Sequence, residues 1–178
     1  LIDNGLAHYW GTSEWTGAQL QSAHILCRDR GWTPPTVEQP QYSLLVRERF
    51  ESVVAPLARD LGMGLVIWSP LASGFLSGKY DDGIRDGRLS QMDWVRDLFF
   101  TEKNRERVKQ MKVLADQMGC TRSQLALAWA AEHRAVSSVI LGVTQTRQLL
   151  ENLGALDVEI SNDLKFELNR LFSPTGSN

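Results

Sequence analysis

The sequence has 178 residues, 43% hydrophobic and 22% charged, enough to bury the core of one ordinary domain. Lys and Arg number 19 against 21 Asp and Glu, a net charge of -2 without the basic surplus that phosphate-backbone binding uses, which excludes nucleic acid as a partner class. The longest apolar run, Leu125 to Ala131, falls well short of the ~20 residues a bilayer span needs, which excludes membrane insertion.

The chain opens at Leu1 without an initiator Met, a basic leader or a small-residue cleavage site, and is expected to be cut from something longer. No low-complexity tract, charge block or residue-level repeat interrupts it. Tyr9 to Ser13 is a short run ending in small polar residues. Thr16 with Gln19 then forms a capping-box signature for a helix with Leu20, Ala23 and Cys27 on one face and Gly31 as its stop. Thr33-Pro34-Pro35 leads rigidly into a second run, Thr36 to Gln39, closed by Pro40. Phe50, Val53, Val54, Leu57 and Leu61 follow at helical spacing, with Pro56 expected to kink or restart the helix.

Leu65 to Trp68, bounded by Gly64 and Ser69-Pro70, is a continuous apolar run suited to burial on both faces, hence to a parallel sheet. A long loop from Leu71 to Thr101 is expected next, then a helix ending at Gly119 and another capped by Thr121 and Gln124. Val139 to Leu141 reads as the fourth strand. Gly142 and Thr144 introduce a helix carrying Leu149, Leu150 and Leu153, and a last amphipathic helix carries Leu164, Leu168 and Leu171. Cys27 and Cys120 each lie in a helix-like stretch and read as reduced thiols of a cytosol-like compartment.

Four alternations of strand and helix point to βαβ units, in an open doubly wound sheet or a (β/α)8 barrel. A barrel takes ~250 residues, or ~31 per unit, so this length holds four units and only half a barrel. In either fold the ligand sits at the carboxyl ends of the strands. Those ends carry Trp10-Gly11-Thr12-Ser13, Glu38-Gln39-Pro40, Trp68-Ser69-Pro70-Leu71 and Leu141-Gly142-Val143-Thr144. Hydroxyls, an amide, an indole and free backbone N–H groups suit a planar, amide-bearing, phosphorylated ligand.

Each signal has an ordinary counterpart. Trp68 can stack on a flat heteroaromatic ring or simply fill the core. Ser13 and Gln39 can bind a carboxamide or solvate backbone. Gly142 to Thr144 can form an anion site at a helix start, or Thr144 can be a plain cap. Gly74 to Tyr80 resembles a phosphate-binding loop in outline, but its glycines are one residue too close, and Tyr80 stands where Ser or Thr is required. Lys79 and Arg88 can pair with a phosphate or stand as solvated charges, and Asp81-Asp82 reads as a solvated turn. His8, His24 and His133 lack partners at metal-ligand spacing, so no metal site is expected. Neither G-x-S-x-G nor G-x-G-x-x-G occurs, which weakens hydrolase and Rossmann readings.

Taken together, Tyr9-Trp10-Gly11-Thr12-Ser13-Glu14-Trp15, Glu38-Gln39-Pro40-Gln41-Tyr42, Trp68 to Gly74 with Gly78-Lys79-Tyr80, and Ser137 to Gly142 with Glu151-Asn152 resemble the aldo-keto reductase superfamily. The likeness is closest to its voltage-gated potassium channel beta-subunit branch. The resemblance implies an α/β fold of parallel (β/α)8 TIM-barrel type, of which residues 1–178 would be the carboxyl-terminal half, strands five to eight with their helices. It implies a cytoplasmic, NADP(H)-dependent oxidoreductase reducing aldehydes or ketones, with the missing amino-terminal half barrel as partner and a homo-oligomer left open.

By the same resemblance, Ser13 and Gln39 would hold the nicotinamide carboxamide and Trp68 would stack on its ring. Ser69, Pro70, Leu71 and Ser73 would line the pyrophosphate path, with Lys79 and Arg88 near the 2'-phosphate. Gly142, Thr144, Gln148, Glu151 and Asn152 would surround the adenine end. The family's catalytic groups come from strands one to four, so no catalytic residue is assigned here. Glu14 stands where many relatives carry Asn or Arg. A regulatory, redox-sensing subunit of a channel or other partner, with little turnover, is the alternative function.

Overall fold

Four short strands, β1 (Gly11–Ser13), β2 (Val37–Gln39), β3 (Gly64–Ile67) and β4 (Val136–Val139), pair in sequence order into one all-parallel sheet in the computed structural model, which describes residues 1–173. Parallel neighbours need crossovers. Helix α1 (Gly17–Arg30) joins β1 to β2, and α2 (Ala55–Leu61) lies between β2 and β3. Between β3 and β4 come α3 (Arg88–Gln91), α4 (Asp93–Phe99), α5 (Glu102–Gln117) and α6 (Arg122–Ala131), and after β4 come α7 (Thr146–Leu153) and α8 (Asn162–Leu171). The register sets Gly11 beside Val37, Ser13 beside Gln39 and Ile67 beside Val139.

The helix ends follow local chemistry. At α1 the Thr16 hydroxyl accepts from the Gln19 N–H at 3.3 Å, Gln19 Oε1 accepts from the Thr16 N–H at 2.8 Å, and Gly31 closes the helix at φ 66°. Thr121 and Gln124 repeat the box at α6. Pro56 cannot donate a helical hydrogen bond, and the chain meets it through a π-turn, Phe50–Val54, before α2 begins.

Helices α1, α2 and α6 cover one face of the sheet, where Leu20, Val54, Ala58, Leu65, Ile67, Leu125 and Trp129 are buried in one core. Burial of β3 therefore alternates: Leu65 and Ile67 are enclosed, while Gly64 and Val66 are only half-buried. The expectation of two covered faces fails here, because the described residues place helices on one face alone.

Three further expectations are corrected. The fourth strand is Val136–Val139, earlier than Val139 to Leu141, since β4 takes its register from Leu65 across an irregularity at Leu65/Val66; Ile140 still donates to the Ile67 carbonyl at 2.9 Å. The stretch from Leu71 to Thr101 is no plain loop: it contains a 3-10 turn at Phe75–Ser77 together with α3 and α4, because Leu89, Val95 and Phe99 reach the core. Cys120 sits in the turn between α5 and α6 rather than in a helix, and it and the buried Cys27 are free thiols. Among the described residues, no helix is long and apolar enough to cross a membrane.

Candidate functional site

Because all four strands run the same way, their carboxyl ends share one rim. Ser13 and Gln39 end adjacent strands at the same level, and the Ser13 hydroxyl donates to the Gln39 carbonyl at 3.0 Å. Backbone pairing continues past β2 and β3: the Trp68 N–H donates to Pro40 O at 3.1 Å, and the Tyr42 N–H donates to Trp68 O at 3.3 Å. Trp68 is thereby fixed opposite Gln41, two residues beyond Gln39 on the same strand extension. Ser13, Gln39 and Trp68, expected separately from three parts of the chain, meet on this rim.

Glu14 lies among them. Its backbone is left-handed at φ 60°, a conformation rare for a side-chain-bearing residue, and the turn sends its carboxylate across the rim. Oε1 accepts from the Trp68 indole N–H at 2.8 Å and from the Gln41 N–H at 2.6 Å, while Oε2 accepts from Arg49. Arg49 also donates to the Trp15 carbonyl at 2.6 Å. Arg49 carries no motif signal. In the sequence Glu14 stands out only as a departure from the Asn or Arg that the resemblance implies beside Ser13.

Beyond Trp68 the backbone turns left-handed at Ser69, Ala72 and Ser73, with φ of 55°, 48° and 57°. The loop is closed by its own bonds: the Ser73 N–H donates to Ser69 Oγ at 3.2 Å, the Ala72 N–H to Ser69 O at 3.0 Å and the Gly74 N–H to Leu71 O at 3.0 Å. Three of the loop's N–H groups, those of Ala72, Ser73 and Gly74, are thereby spent within the loop itself. Pro70 is buried, and Leu71 and Ser73 are half-buried. Asp81 is no merely solvated turn residue, because it pairs with Arg122 at 2.7 Å.

The basic residues converge by way of the backbone. Lys79 pairs with Asp86 at 3.0 Å and lies so close to Gly87, the residue before Arg88, that a Cβ there would stand 2.7 Å from Lys79 Nζ. A Cβ added at Gly142 would stand 3.9 Å from Arg88 Nη2, so the guanidinium overhangs the end of β4. Among the described residues, the Gly142 and Val143 N–H groups have no acceptor.

The start of α7 departs from expectation. Gln145, not Thr144, is the cap, and Gln148 Oε1 gathers the Thr144 N–H at 2.8 Å, the Thr144 hydroxyl at 3.2 Å and the Gln145 N–H at 3.2 Å. Gln148 thus offers a ligand only its amide NH2. The Glu151 carbonyl holds Gln124 Nε2 at 2.8 Å, leaving its exposed carboxylate available, and Asn152 is buried beneath the helix.

Among the described residues, no cluster of three or more His, Cys, Asp or Glu is arranged to hold a metal. A groove of about 510 Å³ runs along α1 between Trp10, Trp15 and Trp32, and neither Ser13, Gln39, Trp68, Arg88 nor Gly142 lines it. The rim, not the groove, gathers the polar chemistry. The family model described as the Aldo/keto reductase family matches residues 1–169.

Proposed function

The chain belongs to the aldo/keto reductase family, and from that premise we propose that it forms the cofactor-gripping half, barrel strands five to eight, of an NADP(H)-dependent oxidoreductase acting on aldehydes and ketones. The observation that carries this reading is the meeting of Ser13, Gln39 and Trp68 at adjacent strand ends, with Arg88 over Gly142 at the end of β4.

The donor set suits the dinucleotide. A carboxamide both donates and accepts, as do the Ser13 hydroxyl and the Gln39 amide. The Trp68 indole offers a flat face. Ser69, Pro70, Leu71 and Ser73 form the path between the two ends. Arg88, with Lys79 freed from Asp86, faces the 2'-phosphate, and Gly142 lies next to the Arg88 guanidinium with unpaired N–H groups of its own and of Val143 to receive an anion. Thr144, Gln148, Glu151 and Asn152 border the adenine. When bound, the reduced nicotinamide supplies the reducing equivalents that turn a carbonyl into an alcohol. This chain orients the ring: stacking sets its plane, and the hydrogen bonds from Ser13 and Gln39 set its rotation. Proton donation to the carbonyl oxygen belongs, in this reading, to the other half of the barrel.

Fluorescence titration of the intact protein with NADPH, alongside steady-state aldehyde reduction, tests the reading. Trp68→Ala should weaken binding about tenfold, the scale of a lost aromatic stack on a planar base. Absence of binding by the unsubstituted protein would refute the proposal. Binding without turnover on any aldehyde would turn it toward a regulatory, redox-sensing role of the kind played by channel beta subunits.

A further inference from the structure

We propose that Glu14 is a positioning residue: its carboxylate sets the tilt of the Trp68 indole, and so the plane on which the nicotinamide lies. This rests on the reading of Trp68 as the stacking surface. Three elements distant in sequence donate to the one carboxylate. The Trp68 indole N–H is 54 residues away and the Gln41 N–H is 27, both on Oε1; Arg49, on Oε2, is 35 away.

An indole at a strand end can swing about two side-chain bonds, and stacking alone does not choose among its orientations. A bond from its N–H to an acceptor that is itself held from both sides does choose. The Gln41 N–H ties that acceptor to the extension of β2. Arg49, anchored on the Trp15 carbonyl at 2.6 Å, ties it to the segment leading into α2. The left-handed backbone at Glu14 is what turns the carboxylate toward these donors. Ser13, whose own hydroxyl is held by the Gln39 carbonyl, precedes it directly, so ring plane and carboxamide contacts are set by consecutive residues.

The intact protein labelled with 15N at its tryptophan indoles reports the contact without cofactor, the Trp68 signal being assigned by its loss in Trp68→Phe. Glu14→Ala should move that signal and raise the NADPH dissociation constant about tenfold, as expected for loss of a hydrogen bond to a charged group. Glu14→Gln keeps an acceptor and should restore both, with binding within about threefold of the unsubstituted protein. Glu14→Asp keeps the charge but falls one carbon short, so it should follow the alanine variant, and it serves if that variant does not fold. In the Trp68→Phe background, which has no indole N–H, Glu14→Ala should add no further loss. An unmoved Trp68 signal in both the Ala and Asp variants overturns the proposal, as does an equal loss of binding with and without the indole. A moved signal in a protein that binds no NADPH overturns the cofactor reading itself, a result distinct from the other two.

Discussion

Gly11 has no side chain because none fits: a Cβ there would stand 2.2 Å from Val37 Cγ1 and 2.5 Å from the Val37 carbonyl. Two residues on is Ser13, so the closeness of β1 to β2 at Gly11 sets how near Ser13 comes to Gln39. Gly11→Ala should push the strands apart, destabilise the intact protein by roughly 1–3 kcal/mol, and weaken cofactor binding; the urea midpoint and an NADPH titration check both. His133 is a second single residue with a predictable effect. It meets the rings of Tyr42 and Phe50 edge-on, at centroid distances of 5.6 and 5.2 Å, and its Nδ1 accepts from the Ala135 N–H at 3.2 Å. Burial lowers its pKa, with Lys165 and Arg47 acting in the same direction and Glu51 and Glu132 opposing. The folded protein therefore holds His133 neutral at pH values where the unfolded chain, titrating near about 6.5, already binds a proton. Its contribution to stability is complete above about 6.5 and is lost as pH falls toward the lowered folded value. Urea midpoints between pH 7 and 5 should thus decline less steeply for His133→Phe than for the unsubstituted protein, and equal slopes would contradict the assignment.

Among the elements, the segment between β3 and α5 is built of short pieces, a 3-10 turn with α3 and α4, and carries Ser73, Lys79 and Arg88. One side chain from outside pins it. Arg122 at the start of α6 pairs with Asp81 at 2.7 Å, donates to the Val108 carbonyl at 3.3 Å, and lies against Gly78 so tightly that a Cβ there would stand 1.7 Å from its Nη2. The Arg122 side chain is only 12% exposed while that of Asp81 is 36% exposed, so the ion pair is partly shielded from water rather than fully at the surface. Arg122→Ala should loosen the segment, seen as faster amide exchange over residues 78–88 with that of β1 to β3 unchanged. Arg122→Lys, without the planar fork, should restore little of the protection. None of this is visible along the chain, because Arg122 and Asp81 are 41 residues apart. What is legible in sequence is what closes within one turn: Thr16 with Gln19, Thr121 with Gln124, and the left-handed stop at Gly31. The Gln145 cap escapes notice because Gln is not an ordinary capping residue, and α3 and α4 escape because runs of four and seven residues show no helical period. The site divides in the same way. Ser13, Gln39 and Trp68 are recognisable as strand-end residues, whereas the tie that Glu14 makes among them, and all of Arg49, depend on crossings between elements.

At the scale of the whole molecule, the sheet ends at β1 on one side and β4 on the other, and neither has an outer neighbour among the described residues. Unpaired strand edges template association. The apolar surface around them is large: Leu150, Leu156 and Phe166 are 66%, 83% and 65% exposed, and Trp32, beside the α1 groove, is 58% exposed. The leucines of α7 that helical spacing predicts as a packing face are only partly covered within the described chain: Leu149, Leu150 and Leu153 all stay exposed, and only Asn152 of that helix is buried. Small isolated surface leucines are ordinary, but edges and apolar faces together at both ends of a sheet are what an interrupted barrel would present. Expressed by themselves, residues 1–178 should therefore self-associate. Sedimentation velocity should show dimers or larger species whose proportion rises with concentration, and a dye that binds exposed apolar surface should fluoresce strongly. Replacing Leu150 and Trp32 with Lys and Glu should shift the distribution toward monomer without changing the helical signal in circular dichroism. A concentration-independent monomer with little dye binding would mean that this sheet covers its own edges, and would remove the physical ground for reading it as half of a barrel.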